Sequence, residues 1–222
     1  MTRPLFTVRM LWLPYGALAL ALVACDKPQA PAAAASAARL GLEPSAAPAR
    51  EFSCDVPAFR RQWPSFDALR DEVGAANVTL GESEEGIQEV SLYPADARRS
   101  IELRFGPRGP DEPVTLSDAV VSAQESAWAL PGGLKMGSTL DAVEQFNGRP
   151  IKLVFTGRGA VTADWQEGQL SDFAKKGCEY FIVFKASQVG SLPVTSTVIS
   201  NDPVIRALGL TIERFGLTRY TP

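Results

Sequence analysis

The stretch Ile101-Glu102-Leu103-Arg104-Phe105 alternates apolar and charged residues one for one, the period of a β-strand with one dry face and one wet face. Such a strand belongs to a sheet covered on one side, which is the habit of antiparallel sheets. Outward from it, Ile87 to Tyr93 and the weaker Val78 to Leu80 come before, Val114 to Val121 comes after, and Pro94-Ala95-Asp96-Ala97 supplies a turn. Gly106-Pro107-Arg108-Gly109-Pro110-Asp111-Glu112-Pro113 is a loop, without the lysine-serine pair or following helix of a phosphate loop. Ile151 to Phe155 and Val161 to Trp165 flank Gly157-Arg158-Gly159 and predict a β-hairpin. Tyr180-Phe181-Ile182-Val183-Phe184 is apolar on both parities and predicts a central strand buried on two faces. Leu210 to Phe215 predicts the closing strand.

Short helices separate these strands. Ser65 is placed to cap a helix with Phe66, Leu69 and Val73 on one face and Gly74 as its stop. Ser138-Thr139-Leu140-Asp141 has the spacing of a capping box, with Leu140, Val143 and Phe146 or Asn147 as the inner stripe and Gly148 closing before Pro150. Asp202-Pro203 begins a last short helix that Gly209 ends. The fold class is therefore α+β, a mainly antiparallel sheet with short helices packed on it. Ser65 to Val78 and Ser138 to Ile151 share one plan of serine cap, amphipathic helix, glycine stop and strands. That plan reads as a helix-plus-hairpin repeat of residues 51–125 and 126–222, or equally as the chance likeness of two capped helices.

The chain opens differently. Arg3 and Arg9 make a positive n-region, and Met10 to Ala24 is an apolar run of about 15 residues, short of the ~20 that span a bilayer. It ends in Leu22-Val23-Ala24-Cys25, which resembles the lipobox of bacterial lipoproteins, where the cysteine becomes a lipidated N-terminus after cleavage. The resemblance implies a signal peptide over residues 1–24 and acyl chains, palmitate among them, on Cys25. It implies a membrane partner and a domain facing the periplasm. Asp26 resembles the inner-membrane retention signal of enterobacterial lipoproteins, which tips the choice toward the inner membrane and leaves the outer one open. An ordinary signal peptide with an incidental cysteine is the other reading. Lys27 to Arg50 is rich in Ala and Pro, and Pro28, Pro31, Pro44 and Pro48 interrupt any helix; residues 25–50 read as anchor and tether, residues 51–222 as one folded domain.

Loss of the leader removes Arg3 and Arg9 and takes the formal charge from −3 to −5. An acidic chain of this kind carries no cationic footprint for nucleic acid. With Cys25 committed to lipid, Cys54 and Cys178 remain, and an oxidising compartment allows them one intramolecular pairing; two separate buried thiols are the alternative. The sequence contains no histidine, which removes Ser-His-Asp and Cys-His pairs and the usual histidine zinc sites. No motif calls for a cofactor or metal.

Leu134-Lys135-Met136-Gly137-Ser138-Thr139-Leu140-Asp141-Ala142-Val143, with Asn147-Gly148-Arg149-Pro150 after it, resembles the helix-on-sheet unit of small envelope lipoproteins. The outer-membrane-assembly lipoproteins are one such family, and the β-lactamase inhibitory protein carries a similar unit in tandem. Those relatives often have a Trp-Asp-Tyr cluster where this chain has Gly157-Arg158-Gly159-Ala160. The resemblance implies a non-catalytic binding or envelope-assembly role with a protein partner. Trp128 and the loop Pro131-Gly132-Gly133 are the candidate contacts, because aromatic residues on loops are frequent anchors. For Trp165, which shares parity with Val161 and Ala163, burial is the better reading. The competing class is a glycosidase-like envelope hydrolase built on Asp141 and Glu144, three apart on one helix face, with Asp164 and Glu167. Capping and solvation explain all four carboxylates at less cost.

Overall fold

The computed structural model describes residues 39–42, 50–84, 87–106, 115–156, 159–188 and 196–219, all within the compact unit Pro31–Pro222. Cys25, Asp26 and the leader lie outside the described residues, as does most of the loop after Phe105.

Strand β4 (Ile101–Phe105) behaves as its pattern requires: Ile101, Leu103 and Phe105 are buried while Glu102 and Arg104 are exposed. It sits in a nine-stranded sheet, antiparallel throughout, with β2 (Val78–Glu84), β3 (Ile87–Leu92), β5 (Leu116–Val121), β7 (Lys152–Phe155), β8 (Gly159–Asp164), β9 (Cys178–Lys185), β10 (Thr197–Ile199) and β11 (Thr211–Arg219). The order is β10-β7-β8-β9-β11-β5-β4-β3-β2. A separate parallel pair joins β1 (Arg50–Glu51) to β6 (Trp128–Ala129). The α+β class is thus what the chain adopts.

Among the described residues, four short α-helices accompany the sheet: α1 (Pro57–Arg60), α2 (Phe66–Val73), α3 (Leu140–Asn147) and α4 (Pro203–Ala207). Ser65 caps α2 as its position predicts, its hydroxyl accepting from the Ala68 amide at 3.2 Å, and Gly74 ends it at φ 95°. The cap of α3 is Thr139, one residue later than the capping-box spacing suggests. Its hydroxyl accepts from the Ala142 amide. Ser138 is occupied elsewhere, its hydroxyl accepting from the Lys135 amide in the preceding turn. The sheet holds this turn in place: the Gly137 and Leu140 amides donate to the Ile212 and Leu210 carbonyls, and the Ile212 amide donates to the Ser138 carbonyl. Asp202 caps α4 through the Val204 amide at 2.8 Å.

One core cluster gathers the inward side chains of both halves, including Leu69 and Val73 of α2 and Leu140 and Val143 of α3. Phe52 is its aromatic hub, edge-on to Phe59, Trp128 and Phe215 with centroids 5.0, 6.0 and 5.5 Å away. Leu40 and Leu42 belong to the same cluster, and the Ala58 amide donates to the Leu40 carbonyl at 2.9 Å. The packed part therefore begins by residue 39 and takes in two leucines that the Ala/Pro composition assigned to the tether.

The last strand is the middle of the sheet. β11 pairs with β9 on one side and β5 on the other. Helix α2 leads into the meander β2-β3-β4-β5, and α3 leads into β7-β8-β9 and then, by way of β10 and α4, into β11. Each half thus has a helix leading into antiparallel strands, with β10 and α4 inserted in the second, and the halves join antiparallel along β5 and β11.

Candidate functional site

The Cys54–Cys178 pair is a disulfide, with Cα atoms 6.3 Å apart and 124 residues between them. That separation lies within the usual range for such a bond. It clamps the segment leading into α1 to the start of β9.

The candidate contacts divide. Trp128 is fully buried; its indole N–H donates to the Arg99 carbonyl at 3.3 Å and the Arg50 guanidinium lies over its ring. Pro131 is also buried, while Gly132 and Gly133 reach the surface. Trp128 and Pro131 are therefore core rather than contact residues, because β6 pairs with β1 and draws the tryptophan under the N-terminal segment. Gly132, at φ 76°, lies against Phe146 of α3, and a Cβ there would overlap the ring. Trp165 is buried as its parity suggests, donating to the Tyr180 carbonyl at 3.1 Å.

The four carboxylates fall into two places. Asp141 and Glu144 both pair with Arg206 of α4, and Glu144 also accepts from the Ser200 hydroxyl. Asp164 and Glu167 line an open cleft of about 580 Å³ with Arg149, Pro150 and Ile199, where Lys152 pairs with Asp164 at 3.5 Å and Arg149 with Glu167 at 3.7 Å. The Gln166 amide, donating at 2.7 Å, holds the Asp164 carboxyl below its ordinary value against the opposing cost of burial, with Lys152 adding to the effect. A general acid needs the opposite shift. Gln166 and Glu167 both have positive φ, 53° and 58°, in this turn. The buried Asn147 secures it from behind, its amide donating to the Trp165 and Arg149 carbonyls and its oxygen accepting from the Leu170 amide. Among the described residues no cluster of acidic or sulfur ligands is arranged for a metal.

The larger feature is the sheet face opposite the helices. The register places Val154, Val161 and Val183 in one row across β7, β8 and β9, and Phe181, Gly216 and Val120 in the adjoining row across β9, β11 and β5. Val120 and Val183 are 6% and 8% exposed, yet neither belongs to the core cluster. On this face the half-buried ring of Phe181 lies across Gly216, where any Cβ would collide with it. This is how an aromatic side chain compensates for a glycine in a sheet. Charged groups border the patch: Glu102 and Arg104 toward β4, Arg214 beyond Val183, Lys152 and Asp164 toward β7 and β8. The run 180–184 is thus apolar on both parities for two reasons. Cys178, Tyr180, Ile182 and Phe184 enter the core, whereas Phe181 and Val183 lie on the other face of the sheet, outside the core cluster. The strand is buried on its core face, and on the other face Val183 is buried and Phe181 half-buried, close to the burial on two faces expected for it. The composition of the strand carried the signal, but the register that tells the two causes apart involves β5, β8 and β11.

Comparison with protein-family models, with curated proteins and with solved structures finds no match to this chain. The helix-on-sheet resemblance therefore rests on its motif residues alone. Among the described residues no helix is long and apolar enough to cross a membrane.

Proposed function

We infer that the chain is a lipid-anchored envelope protein that binds another protein through the open face of its sheet. The observation that carries this reading is the contiguous apolar row of half-buried Val154, Val161 and Phe181 beside the buried Val183 and Val120, which lies outside the core cluster and is bordered by both signs of charge. An apolar centre with a charged rim is the anatomy of a protein interface. The leader ending in Leu22-Val23-Ala24-Cys25 supports the anchor, and the Cys54–Cys178 bond suits an oxidising compartment such as the periplasm. Binding rather than catalysis is favoured because each of the four candidate carboxylates has a cationic partner and Asp164 is shifted away from the proton-donating range.

Two substitutions test the two halves of this reading separately. Cys25→Ser should move the protein from the membrane to the soluble fraction and abolish incorporation of labelled palmitate; unchanged membrane association without acylation contradicts the anchor. Val161→Asp should weaken capture of the native partner at least about tenfold, since it puts a charge at the centre of the apolar patch, while leaving thermal unfolding close to that of the parent chain. Undiminished capture by a folded variant rules the face out.

A further inference from the structure

A second site lies at the disulfide, away from the open face. Helix α1, the end of β11 and the turn before β9 enclose a cavity of about 270 Å³. Its floor is apolar, made by Phe59, Leu217 and the Cys54–Cys178 bond, and Arg60, Lys176 and Arg219 also line it. Three cations at one small cavity are conspicuous in a chain whose formal charge is −3. Arg60 is engaged: it pairs with Asp55 at 2.5 Å and donates to the Cys54 carbonyl at 2.9 Å. Among the described residues neither Lys176 nor Arg219 has a carboxylate partner; Arg219 donates one N–H to the Phe59 carbonyl, and the Lys176 ammonium rests over the Phe173 ring.

Of the acidic groups near this end, Glu179 beside Cys178 has an interaction of its own. Asp55 is held by Arg60 and Asp172 by Lys175, and Glu51 is an exposed residue of β1. An arginine fixed by a backbone carbonyl still presents further donors in a set plane, which is how a guanidinium recognises a carboxylate or phosphate. The volume falls just below that of ordinary small-molecule pockets, so the occupant is small.

We propose that this cavity binds a small amphiphilic anion, a carboxylate or phosphate monoester on an apolar body, with the charged head on Lys176 and Arg219 and the body on Phe59, Leu217 and the disulfide. The inference does not depend on the open face being an interface.

The test is calorimetric titration of the full-length chain with phenylpropionate and with phenyl phosphate, beside phenylpropanol, which has only the apolar body, and inorganic phosphate, which has only the charge. Saturable binding of one or both aromatic anions is expected, and the preferred one identifies the head group. The Lys176→Gln, Arg219→Gln double variant should bind at least about tenfold more weakly, the loss expected when charged hydrogen bonds are removed. Should that variant fail to fold, Lys176→Gln alone, at an exposed position, should still weaken binding and flatten its salt dependence. The proposal is overturned if neither aromatic anion saturates, if a folded variant binds as the parent does, or if the alcohol or inorganic phosphate binds as tightly.

Discussion

Trp128 shows what a single side chain contributes. Its ring is fully buried, stacked edge-on against Phe52 and tied by its N–H to the Arg99 carbonyl, so removal leaves both a void and an unmet acceptor. Trp128→Ala is expected to cost about 3–5 kcal/mol in urea unfolding, the range for deletion of a large core aromatic. A loss below about 1 kcal/mol would place the tryptophan outside the core. Tyr180 gives a pH dependence. Burial pushes its phenol, whose hydroxyl has no hydrogen-bond partner among the described residues, well above the ordinary 10.0, and the charges of Glu51 and Asp55 push the same way. A folded value above the unfolded one means that the native state retains its proton after the unfolded state has lost it. Stability from this group is therefore complete below pH 10.0 and declines as pH rises beyond it toward the folded value. Tyr180→Phe should flatten that alkaline decline in unfolding measured at successive pH values.

Among the elements, the segment from Arg50 to Arg60 depends most on remote support. It pairs β1 with β6, places Phe52 at the hub of the aromatic cluster and is clamped to β9 by the disulfide. Cys54→Ser with Cys178→Ser is expected to lower stability by about 2–5 kcal/mol, the range for a native disulfide in a small domain. Denaturant unfolding of the double variant checks it. The turn at Gly132 is a sharper case, since a side chain there meets both a positive φ and the Phe146 ring. Gly132→Ala should cost more than about 1 kcal/mol, whereas Gly133→Ala, with open space at its Cβ, should bear only the backbone strain. The same elements show where sequence is informative. Helix α2 was legible to its caps because Ser65, Phe66, Leu69, Val73 and Gly74 are local signals. Strand β4 was legible because its alternation is local too. The cap of α3 shifted to Thr139 because pairing with β11, far along the chain, decides where the turn ends and the helix begins. Leu40 and Leu42 were invisible for the reverse reason, two apolar residues in a proline-rich stretch whose burial partners lie elsewhere in sequence.

At the scale of the whole molecule, two meanders meeting along β5 and β11 make one broad sheet, and the helices occupy one side of it. The central patch lies on the other face, where Val154, Val161, Val183, Phe181 and Val120 are contributed by four strands, β7, β8, β9 and β5, around the glycine of β11. No local run of sequence contains that patch. It exists only because of register, which is why loop residues stood in for it when the chain was read alone. The account's central claim is that this face meets a protein partner, and site-specific photocrosslinking in intact cells tests it most directly. A benzophenone side chain at position 161 or 181 should yield one discrete heavier adduct, while the same group at position 204, on the exposed Val204 of α4, should yield none. Adducts absent from both face positions, or equally strong from position 204, would contradict it.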